Sequence, residues 1–377
     1  MRIVFVIDMF DVKKNGTTMT ARRFVEELRK KGHEVRVIST GQPEPDKYLV
    51  PEHHMPVVDY FSRKQSFMFA QPVDSVIRQA MEGADLVHLF LPMKLERRAL
   101  KIAREMGIPC SAAFHLQPEN ITYNIRMGKV QWLSNLIYLW MRKVFYDKFD
   151  HIHCPSCFIA GQLKEHHYRA KLHVISNGVT PEFRYRPKRS EDGLFHILMI
   201  GRLSPEKRQE LLIEAAKKSK YSQKIQLHFA GTGPKEYALR HQGSCLVQEP
   251  TFGYYPKEEL LDLIASCDLY AHTSDAEIEA IACLEAIACG LVPVISDSKK
   301  SATSQFALDS RSTFAAGNAE DLARKIDYWI EHPKEKEEMS KAYARSTEQY
   351  RIEHCVAAAE QMFEEVLRDA RNGGGHV

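Results

Sequence analysis

Short apolar runs alternate with stretches of helical periodicity along the first half of the chain. Residues 3–7 are predicted to form a buried strand, 20–31 an amphipathic helix that Gly32 ends, and 35–39 the next strand. Further apolar runs predict strands at 86–91, 111–114, 151–154 and 172–175. Strands that alternate with helices in this way indicate a parallel, doubly wound sheet.

A polar loop that begins at Asn177-Gly178 and continues through the proline-bearing stretch 185–193 interrupts this pattern. The alternation then begins again, with strands predicted at 195–200, 225–230, 269–272 and 292–295 and helices at 209–217, 257–265 and 281–288. Two such α/β units predict two Rossmann-like domains that face each other across a cleft.

The length of 377 residues also favours two domains, because it exceeds what one hydrophobic core usually supports. We expect a first domain over 1–180 and a second over 181–350. Residues 351–377 are expected to form a C-terminal helix that returns toward the first domain, with a disordered tail from Asn372.

The net charge of +3 is distributed unevenly. Residues 1–180 hold 26 Lys and Arg against 18 Asp and Glu, a net +8, and the rest of the chain carries −5. A basic half indicates an anionic surface or substrate on the N-terminal side, and two solvated surfaces of unequal charge would explain the same numbers. The basic residues follow no known reader motif, so we expect no nucleic-acid binding.

No apolar run approaches the roughly 20 residues that a membrane span needs. The apolar opening segment carries Asp8 and has no small-residue cleavage site, so it predicts a buried strand rather than a signal peptide. We therefore expect a cytoplasmic protein. Its eight cysteines are scattered among apolar residues, as reduced thiols are, and the lone Cys154–Cys157 pair is a weak metal or redox candidate.

The segment 274–290 carries the strongest chemical signal. A short acidic loop with Glu277 follows a strand, and an alanine-rich helix begins near Ala280. The first backbone N–H groups of such a helix attract anions, and small residues let a diphosphate approach closely. Glu285 within the helix and Glu277 in the loop can accept hydrogen bonds from sugar hydroxyls. Acidic residues that merely stabilise a helix start would give a similar pattern.

A second segment favours the diphosphate interpretation. Gly201-Arg202 follows the first strand of the second domain, and Lys207 and Arg208 precede its helix. Cations at a helix start work against the helix dipole, so a bound anion explains them better than solvent does.

These segments together resemble the family-4 glycosyltransferases of the GT-B fold over nearly the whole chain. Glu277 and Glu285 match the family's E-x7-E signature, and residues 201–207 match its G-R-L-x-x-E-K element. The turn at Gly231-Thr-Gly233-Pro, the loop Asn15-Gly16-Thr17 and the interdomain motifs near 155 and 174–179 also match.

The resemblance implies a role for each matching residue. Arg202 and Lys207 would neutralise the pyrophosphate, Glu277 would bind the donor sugar, and Glu285 the ribose. The backbone near Ala280 and Ile281 would cradle phosphate, and Gly201 would belong to the same donor site. Gly16 would line the cleft where acceptor and phosphate meet, and His115 would lie near the transferred sugar. A strand-end histidine such as His115 is also a common structural residue.

The chain departs from the family where Ile278-Glu279-Ala280 replaces a Gly or Ser and a Phe-Gly pair. Losing the glycine removes easy access to positive φ, so we expect a different loop geometry there. Glu279 adds a carboxylate to the donor site and is expected to alter the sugar preference.

No Asp-x-Asp motif occurs in the chain, so the metal-chelating pair of other glycosyltransferases is absent. Arg202 and Lys207 can replace the metal's electrostatic role. The expected reaction is therefore hexose transfer with retention from a nucleotide sugar, a UDP-sugar by the resemblance, with no metal, no other cofactor and no covalent glycosyl-enzyme.

The acceptor is suggested by the segment 127–148, which is rich in aromatic and aliphatic residues and flanked by Lys129, Arg142, Lys143 and Lys148. An interfacial helix on the inner face of an anionic membrane and an ordinary buried helix both fit this pattern. Together with the basic residues between Arg97 and Arg104, it favours a lipid or lipid-linked glycan acceptor. The chain also resembles the glycolipid-making members of the family, and this resemblance supports a lipid acceptor.

Two alternatives stay open. The chain could glycosylate a polysaccharide precursor, a small molecule or a protein in solution. It could also bind nucleotide sugars without catalysis, as the unusual Glu279-Ala280 would permit.

Overall fold

The computed structural model of the chain describes residues 1–11, 16–54, 68–124, 127–128, 130–187 and 192–373. Asn15, Lys129 and the last part of the predicted tail, 374–377, lie outside the described residues. The chain forms two compact units. Unit 1 comprises Met1–Pro118, Gln131–Gly178 and Ile352–Val377, and unit 2 comprises Glu119–Val130 and Val179–Arg351. The predicted first domain, 1–180, includes the segment 119–130 that clusters with unit 2.

The described residues of unit 1 form a seven-stranded sheet in the order β3-β2-β1-β4-β5-β6-β7. Every pairing in it is parallel. Its strands are β1 Arg2–Met9, β2 Glu34–Thr40, β3 Lys47–Leu49, β4 Leu86–Leu89, β5 Cys110–Ala113, β6 His151–Cys154 and β7 Lys171–Val174. Strand β1 is buried on both faces, as a central parallel strand covered by helices must be.

The described residues of unit 2 form a six-stranded parallel sheet in the order β10-β9-β8-β11-β13-β15. Its strands are β8 Phe195–Ile200, β9 Ile225–Ala230, β10 Thr251–Gly253, β11 Leu269–His272, β13 Val292–Ser296 and β15 Thr313–Phe314. A separate parallel pair joins β12 Ala276–Glu277 to β14 Lys300–Ser301. In each large sheet the strand order reverses beside the first strand, which creates a crevice at the carboxyl ends of the strands.

Thirteen α-helices lie within the described residues. They are α1 Gly16–Lys30, α2 Asp74–Met81, α3 Lys94–Glu105, α4 Pro118–Asn124, α5 Gln131–Val144, α6 Cys157–Glu165, α7 Gln209–Lys218, α8 Glu236–Gly243, α9 Lys257–Ser266, α10 Ile281–Ala288, α11 Ala319–Glu331, α12 Pro333–Ser346 and α13 Ile352–Arg371. The two parallel α/β sheets confirm the predicted fold class. In the described part of the chain, no helix combines the length and the apolar character that crossing a membrane requires.

The last helix, α13, packs into the core of unit 1 although unit 2 precedes it in the sequence. Its residues Ile352, Val356 and Phe363 are buried in the same hydrophobic cluster as Phe5 of β1. Unit 1 is therefore completed only by the C-terminal segment.

Candidate functional site

The predicted donor-binding residues of unit 2 lie at the reversal of strand order between β8 and β11. Gly201 and Arg202 follow β8 directly, and Thr273 follows β11. The hydroxyl of Thr273 donates to the backbone carbonyl oxygens of Lys207 and Arg208, at 2.8 and 2.9 Å. The segments 201–208 and 273–280 are thereby joined at the carboxyl edge of one sheet, where α/β proteins bind ligands.

Three glycines let two loops approach each other at this edge. Gly201 has a φ of +147°, which L side chains rarely adopt. A Cβ added to Gly231 would lie 2.0 Å from the carbonyl oxygen of Gly201, and one on Gly233 would lie 2.3 Å from that of Leu203. The backbone N–H of Leu203 donates to Thr232 O at 3.1 Å, so the loop after β9 supports the loop after β8.

Arg202 is oriented by a buried carboxylate. Its guanidinium Nη2 lies 2.9 Å from Glu206 Oε1, and the hydroxyl of Ser204 donates to the same oxygen. Glu206 is 3% exposed, whereas the Arg202 side chain is 32% exposed. A partly exposed guanidinium held by one carboxylate still has N–H donors for a bidentate contact with phosphate.

Lys207, Glu277 and His272 form a buried network, although the lysine and the glutamate are 70 residues apart in the sequence. Lys207 Nζ donates to Glu277 Oε1, and His272 Nε2 lies 3.1 Å from the same oxygen. His272 Nδ1 lies 3.2 Å from the hydroxyl of Tyr270. The side chain of Glu277 is therefore fixed from two sides.

Burial by itself would raise the pKa of Glu277, but the positive charge of Lys207 and the hydrogen bond with His272 outweigh it and hold that pKa well below its usual range. Burial lowers the pKa of His272, and the contact with Glu277 opposes this effect. Glu277 is thus an anion at neutral pH and can only accept hydrogen bonds, as holding sugar hydroxyls requires.

The loop that carries Glu277 is anchored at several points. Strand β12 pairs with β14, and the backbone N–H of Ala302 donates to Glu277 O at 3.0 Å. Asp275 Oδ2 accepts from Arg208 Nη1 at 2.8 Å and from the hydroxyl of Tyr123 at 3.0 Å. A backbone anchored in this way keeps a binding side chain in one orientation, which reduces the entropy that binding costs.

Ala280, immediately before helix α10, has φ 68° and ψ 61°, the left-handed conformation that favours glycine. The expected loss of positive φ at this position is therefore wrong, because Ala280 adopts the left-handed conformation that a glycine would take without cost. Helix α10 begins at Ile281 with no side-chain cap and no acidic residue in its first turn. Its first N–H groups and the positive end of its dipole remain suited to an anion.

Two further predicted donor-site carboxylates lie beside this helix start. Glu279 precedes Ala280 and is 2% exposed, and Glu285 is 8% exposed. Glu285 is four residues after Ile281, so both residues lie on one face of α10. Unit 2 thus brings together eight of the ten predicted site residues: Gly201, Arg202, Lys207, Glu277, Glu279, Ala280, Ile281 and Glu285.

The remaining two predicted site residues, Gly16 and His115, belong to unit 1. Gly16 is exposed at the start of α1, and a Cβ added there would meet no atom within 4 Å. His115 follows β5, is 5% exposed and stacks on Phe90 with ring centroids 5.5 Å apart. Its Nε2 has no hydrogen-bond partner among the described residues. Burial lowers the pKa of His115 well below its ordinary value, so its ring is neutral.

Sequence reasoning did not nominate His272, Glu206 or Asp275 as site residues. His272 is the last residue of β11, and its position at a strand end is the only feature of the sequence that points to it as a site residue. Glu206 and Asp275 lie within the matching motifs, but the sequence does not show which cation each of them pairs with.

The apolar segment in unit 1 forms helix α5, which lies at the surface. The helix buries Ser134, Tyr138 and Met141. It exposes a stripe of large apolar side chains: Trp132 65%, Leu136 53%, Leu139 45% and Trp140 48%. These positions recur at helical spacing on one face. A helix that is buried on every side does not fit these exposures.

The basic residues near this helix are partly engaged by the protein itself. Arg142 donates to the carbonyl oxygen of His166 at 2.7 Å, and Arg98 pairs with Asp74. Lys143 is 64% exposed.

The Cys154–Cys157 pair is not bonded, and burial raises the pKa of Cys154 to about 12, which disfavours the thiolate that redox or metal chemistry needs.

Two family models match consecutive parts of the chain. The model described as Glycosyltransferase Family 4 matches residues 14–183, and the model described as Glycosyl transferases group 1 matches residues 182–347. Together they cover almost the whole chain.

Two curated relatives resemble the chain over most of its length. The alpha-monoglucosyldiacylglycerol synthase of Streptococcus pneumoniae is 26% identical over 314 residues, which cover 78% of this chain and 70% of the relative. The GDP-mannose-dependent alpha-mannosyltransferase of Mycolicibacterium smegmatis is 29% identical over 314 residues, covering 78% and 79%.

Two solved structures share the fold of the chain. Sucrose-phosphate synthase from Thermosynechococcus elongatus superimposes with a TM-score of 0.78 at 15% identity, covering 98% of this chain and 99% of that protein. HepE from Anabaena, in complex with UDP and glucose, gives a TM-score of 0.72 at 16% identity, covering 97% and 99%.

Proposed function

Because this chain belongs to the family-4 glycosyltransferases of the GT-B fold, we propose that it transfers a hexose from a nucleotide sugar to a hydroxyl group of a membrane lipid or lipid-linked glycan. The observation that carries the proposal is the grouping of Arg202, Lys207 and the uncapped start of α10 at the carboxyl edge of one parallel sheet. Two cations and a helix N-terminus at such an edge favour a diphosphate.

In the proposed complex, Lys207 keeps Glu277 as its partner and directs its other N–H bonds to the diphosphate, since an ammonium has three donors. Arg202 contacts the same group while Glu206 orients it. The backbone at Gly201, Ala280 and Ile281 completes the anion site. Glu277 accepts hydroxyl hydrogen bonds from the donor sugar, next to the added carboxylate of Glu279, and Glu285 accepts those of the ribose.

We propose front-face transfer with retention and no metal. As the glycosidic bond to the diphosphate breaks, Arg202, Lys207 and the start of α10 stabilise the negative charge of the leaving group. The leaving phosphate oxygen takes the proton of the attacking hydroxyl on the same face of the sugar. By family resemblance, His115, a neutral buried imidazole, is proposed to lie near the transferred sugar. Gly16 is proposed, on the same ground, to lie on the acceptor side.

A UDP-hexose is the first donor proposed, and GDP-mannose is the second, because three of the relatives are named as GDP-mannose-dependent mannosyltransferases. The lipid acceptor is supported by the exposed apolar stripe of α5 and by the diacylglycerol glycolipid named in one relative. Helix α5 would lie on an anionic membrane surface as a peripheral contact.

The test incubates the purified full chain and excess EDTA with UDP-glucose, UDP-galactose, UDP-N-acetylglucosamine or GDP-mannose. Each donor is offered diacylglycerol, a polyprenyl phosphate, a soluble oligosaccharide or water alone. Transfer to a lipid with an α-anomeric product by NMR is the expected result. Loss of activity in EDTA that Mn²⁺ restores would overturn metal independence.

Each remaining outcome corresponds to another function. Transfer to the soluble oligosaccharide alone would indicate a soluble glycosyltransferase. Donor binding with neither transfer nor slow hydrolysis would indicate a nucleotide-sugar sensor.

A further inference from the structure

Four ionisable side chains of unit 1, from β6, β7 and α13, lie close together. His151 begins β6, and its Nδ1 lies 3.0 Å from Nε2 of His173 on β7. A carboxylate oxygen of Glu365 on α13 joins them, and the three ligand atoms all lie within 4.8 Å of one another. Asp369, one helical turn further along α13, places Oδ2 3.2 Å from His151 Nε2.

We propose that His151, His173 and Glu365 bind one divalent transition-metal cation, zinc in the first place. Two imidazole nitrogens and a carboxylate oxygen are ligands that zinc takes at about 2.0–2.2 Å. Ligand atoms around one tetrahedral zinc ion therefore lie roughly 3.3 Å apart. The nitrogen separation of 3.0 Å is already close to that value, so small side-chain adjustments would complete the site.

Asp369 performs the supporting role that metal-binding histidines require. Its carboxylate faces His151 Nε2, which directs the N–H to that nitrogen and leaves the lone pair of Nδ1 pointing toward His173. A carboxylate on the far nitrogen of a ligating imidazole fixes the ring's tautomer and orientation and strengthens metal binding. Asp192 contacts the far nitrogen of His196 in unit 2 in the same way, so the third ligand, Glu365, is what distinguishes this cluster.

The proposed ligands are largely shielded from solvent. His151 is 3% exposed, and the side chain of Glu365 is 20% exposed.

The positive charge of Lys171 disfavours cation binding at this site. Its Nζ pairs with Glu365 Oε1, and its side chain is 56% exposed. An ammonium beside the site repels a cation and occupies one carboxylate oxygen. Because Lys171 is largely in solvent, it can turn away at low cost, and removing its charge should tighten metal binding.

The position of the site separates it from sugar transfer. His151 is the first residue of β6, at the amino edge of the sheet in unit 1, and His173 is the third residue of β7, the outermost strand of that sheet. Ligands in this type of fold bind at the carboxyl edge. The ion would therefore fasten α13 to strands β6 and β7 rather than take part in the reaction.

A second histidine pair in unit 2 provides a matched control. His196 Nδ1 lies 2.9 Å from His228 Nε2, but the other nitrogen of His228 contacts the hydroxyl of Thr251 at 2.8 Å. Within the described residues, this pair is not part of a three-ligand cluster. Replacing His228 should leave metal binding unchanged.

The experiment uses the full chain without a polyhistidine tag, freed of metal by EDTA and desalting, at pH 7.5. Calorimetric titration with ZnCl₂ should show one tight site, and zinc should raise the melting temperature. His173→Gln should weaken binding at least 100-fold and Asp369→Asn about 10–100-fold. Lys171→Met should tighten binding, and His228→Gln should bind like the wild type.

If His173→Gln fails to fold by circular dichroism, Glu365→Gln at the surface of α13 replaces it, with the same expected loss. The proposal is overturned if the wild type binds no stoichiometric zinc or if His173→Gln and Glu365→Gln bind as the wild type does. A Lys171→Met chain that melts earlier without tighter zinc binding would also overturn it, because the cluster would then only dock α13 through ion pairs.

Discussion

Glu277 shows why single residues of this site cannot be assessed alone. The side chains of Lys207 and Glu277 are 19% and 11% exposed, so each is held in an environment that disfavours an unpaired charge. Lys207 is proposed to bind diphosphate, yet in the structure it also neutralises Glu277. Replacing either residue therefore changes the stability of unit 2 as well as the donor site.

A pair of variants separates the two effects. Lys207→Met leaves the buried carboxylate without its cation and should lower the free energy of unfolding by about 3–5 kcal/mol. The double variant Lys207→Met with Glu277→Gln removes both charges and should recover most of that loss in urea denaturation. Its kcat/KM should stay roughly 10²–10³-fold below the wild type, since Lys207 no longer stabilises the leaving group and the carboxylate proposed to hold the donor sugar is gone. Full recovery of activity would contradict the proposed role.

The same pair gives a pH dependence of stability. The folded-state pKa of Glu277 lies below its ordinary value of 4.5, so the stabilisation is complete above that pH and is lost as the pH falls toward the folded pKa. The free energy of unfolding of the wild type should therefore fall relative to that of the double variant below about pH 4.5. A difference between the two that stays constant down to pH 3 would contradict this assignment.

Ala280 stores backbone strain at the start of α10, the proposed phosphate site. Its left-handed conformation costs about 1–2 kcal/mol for a residue with a Cβ. Ala280→Gly should therefore raise the free energy of unfolding by about 0.5–1 kcal/mol, although glycine adds entropy to the unfolded chain. The control Ala342→Gly, inside α12, should lower it by about 1 kcal/mol. Destabilisation by both would show that Ala280 is not strained.

Among the strands, the sequence predicted those of four or more residues and missed the shorter ones. Strands β1 and β8 have six or more residues and a continuous buried pattern. Strands β3 and β10 have three residues each, too few to show any periodicity. They become strands because a neighbouring strand offers hydrogen bonds, which is tertiary information.

Helix α5 exposes a stripe of large apolar side chains, as a helix that binds a membrane surface does. Trp132→Ser with Trp140→Ser removes two exposed aromatic residues from its apolar stripe. Flotation with vesicles that contain an anionic phospholipid should fall at least tenfold, because interfacial binding scales with apolar area and charge attraction. The melting temperature should be unchanged, since neither side chain is buried.

The control for this experiment is Tyr237→Ser, which removes an 87% exposed aromatic residue from α8 in unit 2. It should float like the wild type. Binding of the wild type should weaken at high salt, as an electrostatic contribution does. Equal flotation of the double tryptophan variant and the wild type would remove α5 as the membrane contact.

For the whole molecule, sequence motifs predicted the two-sheet class and most of the residues at the carboxyl edge of unit 2. They could not show that Lys207 and Glu277 pair across 70 residues, or that Asp275 links Arg208 to Tyr123. Such pairings depend on how strands are ordered in a sheet. A motif gives the type of residue at each position but not its partner.

The discontinuous make-up of unit 1 leads to the last prediction. A chain that ends at Arg351 loses α13, which buries Ile352, Cys355, Val356, Ala359, Met362, Phe363 and Val366. Five of these are large apolar side chains, each worth about 1.5–3 kcal/mol when buried, and their sum is comparable to the roughly 5–15 kcal/mol that stabilises a typical domain. Unit 1 should therefore unfold, whereas unit 2, whose core contains none of these residues, should stay folded.

Limited proteolysis followed by mass spectrometry checks whether unit 1 alone unfolds in the truncated chain. The truncated chain should be cut throughout 1–118 and 131–178 and protected within 192–351, and a chain that ends at Gly373 should be protected in both units. Donor nucleotide should still raise the melting temperature of the truncated chain, because Arg202, Lys207 and α10 all belong to unit 2. Protection of unit 1 without α13 would show that the sheet and its other helices suffice for its fold.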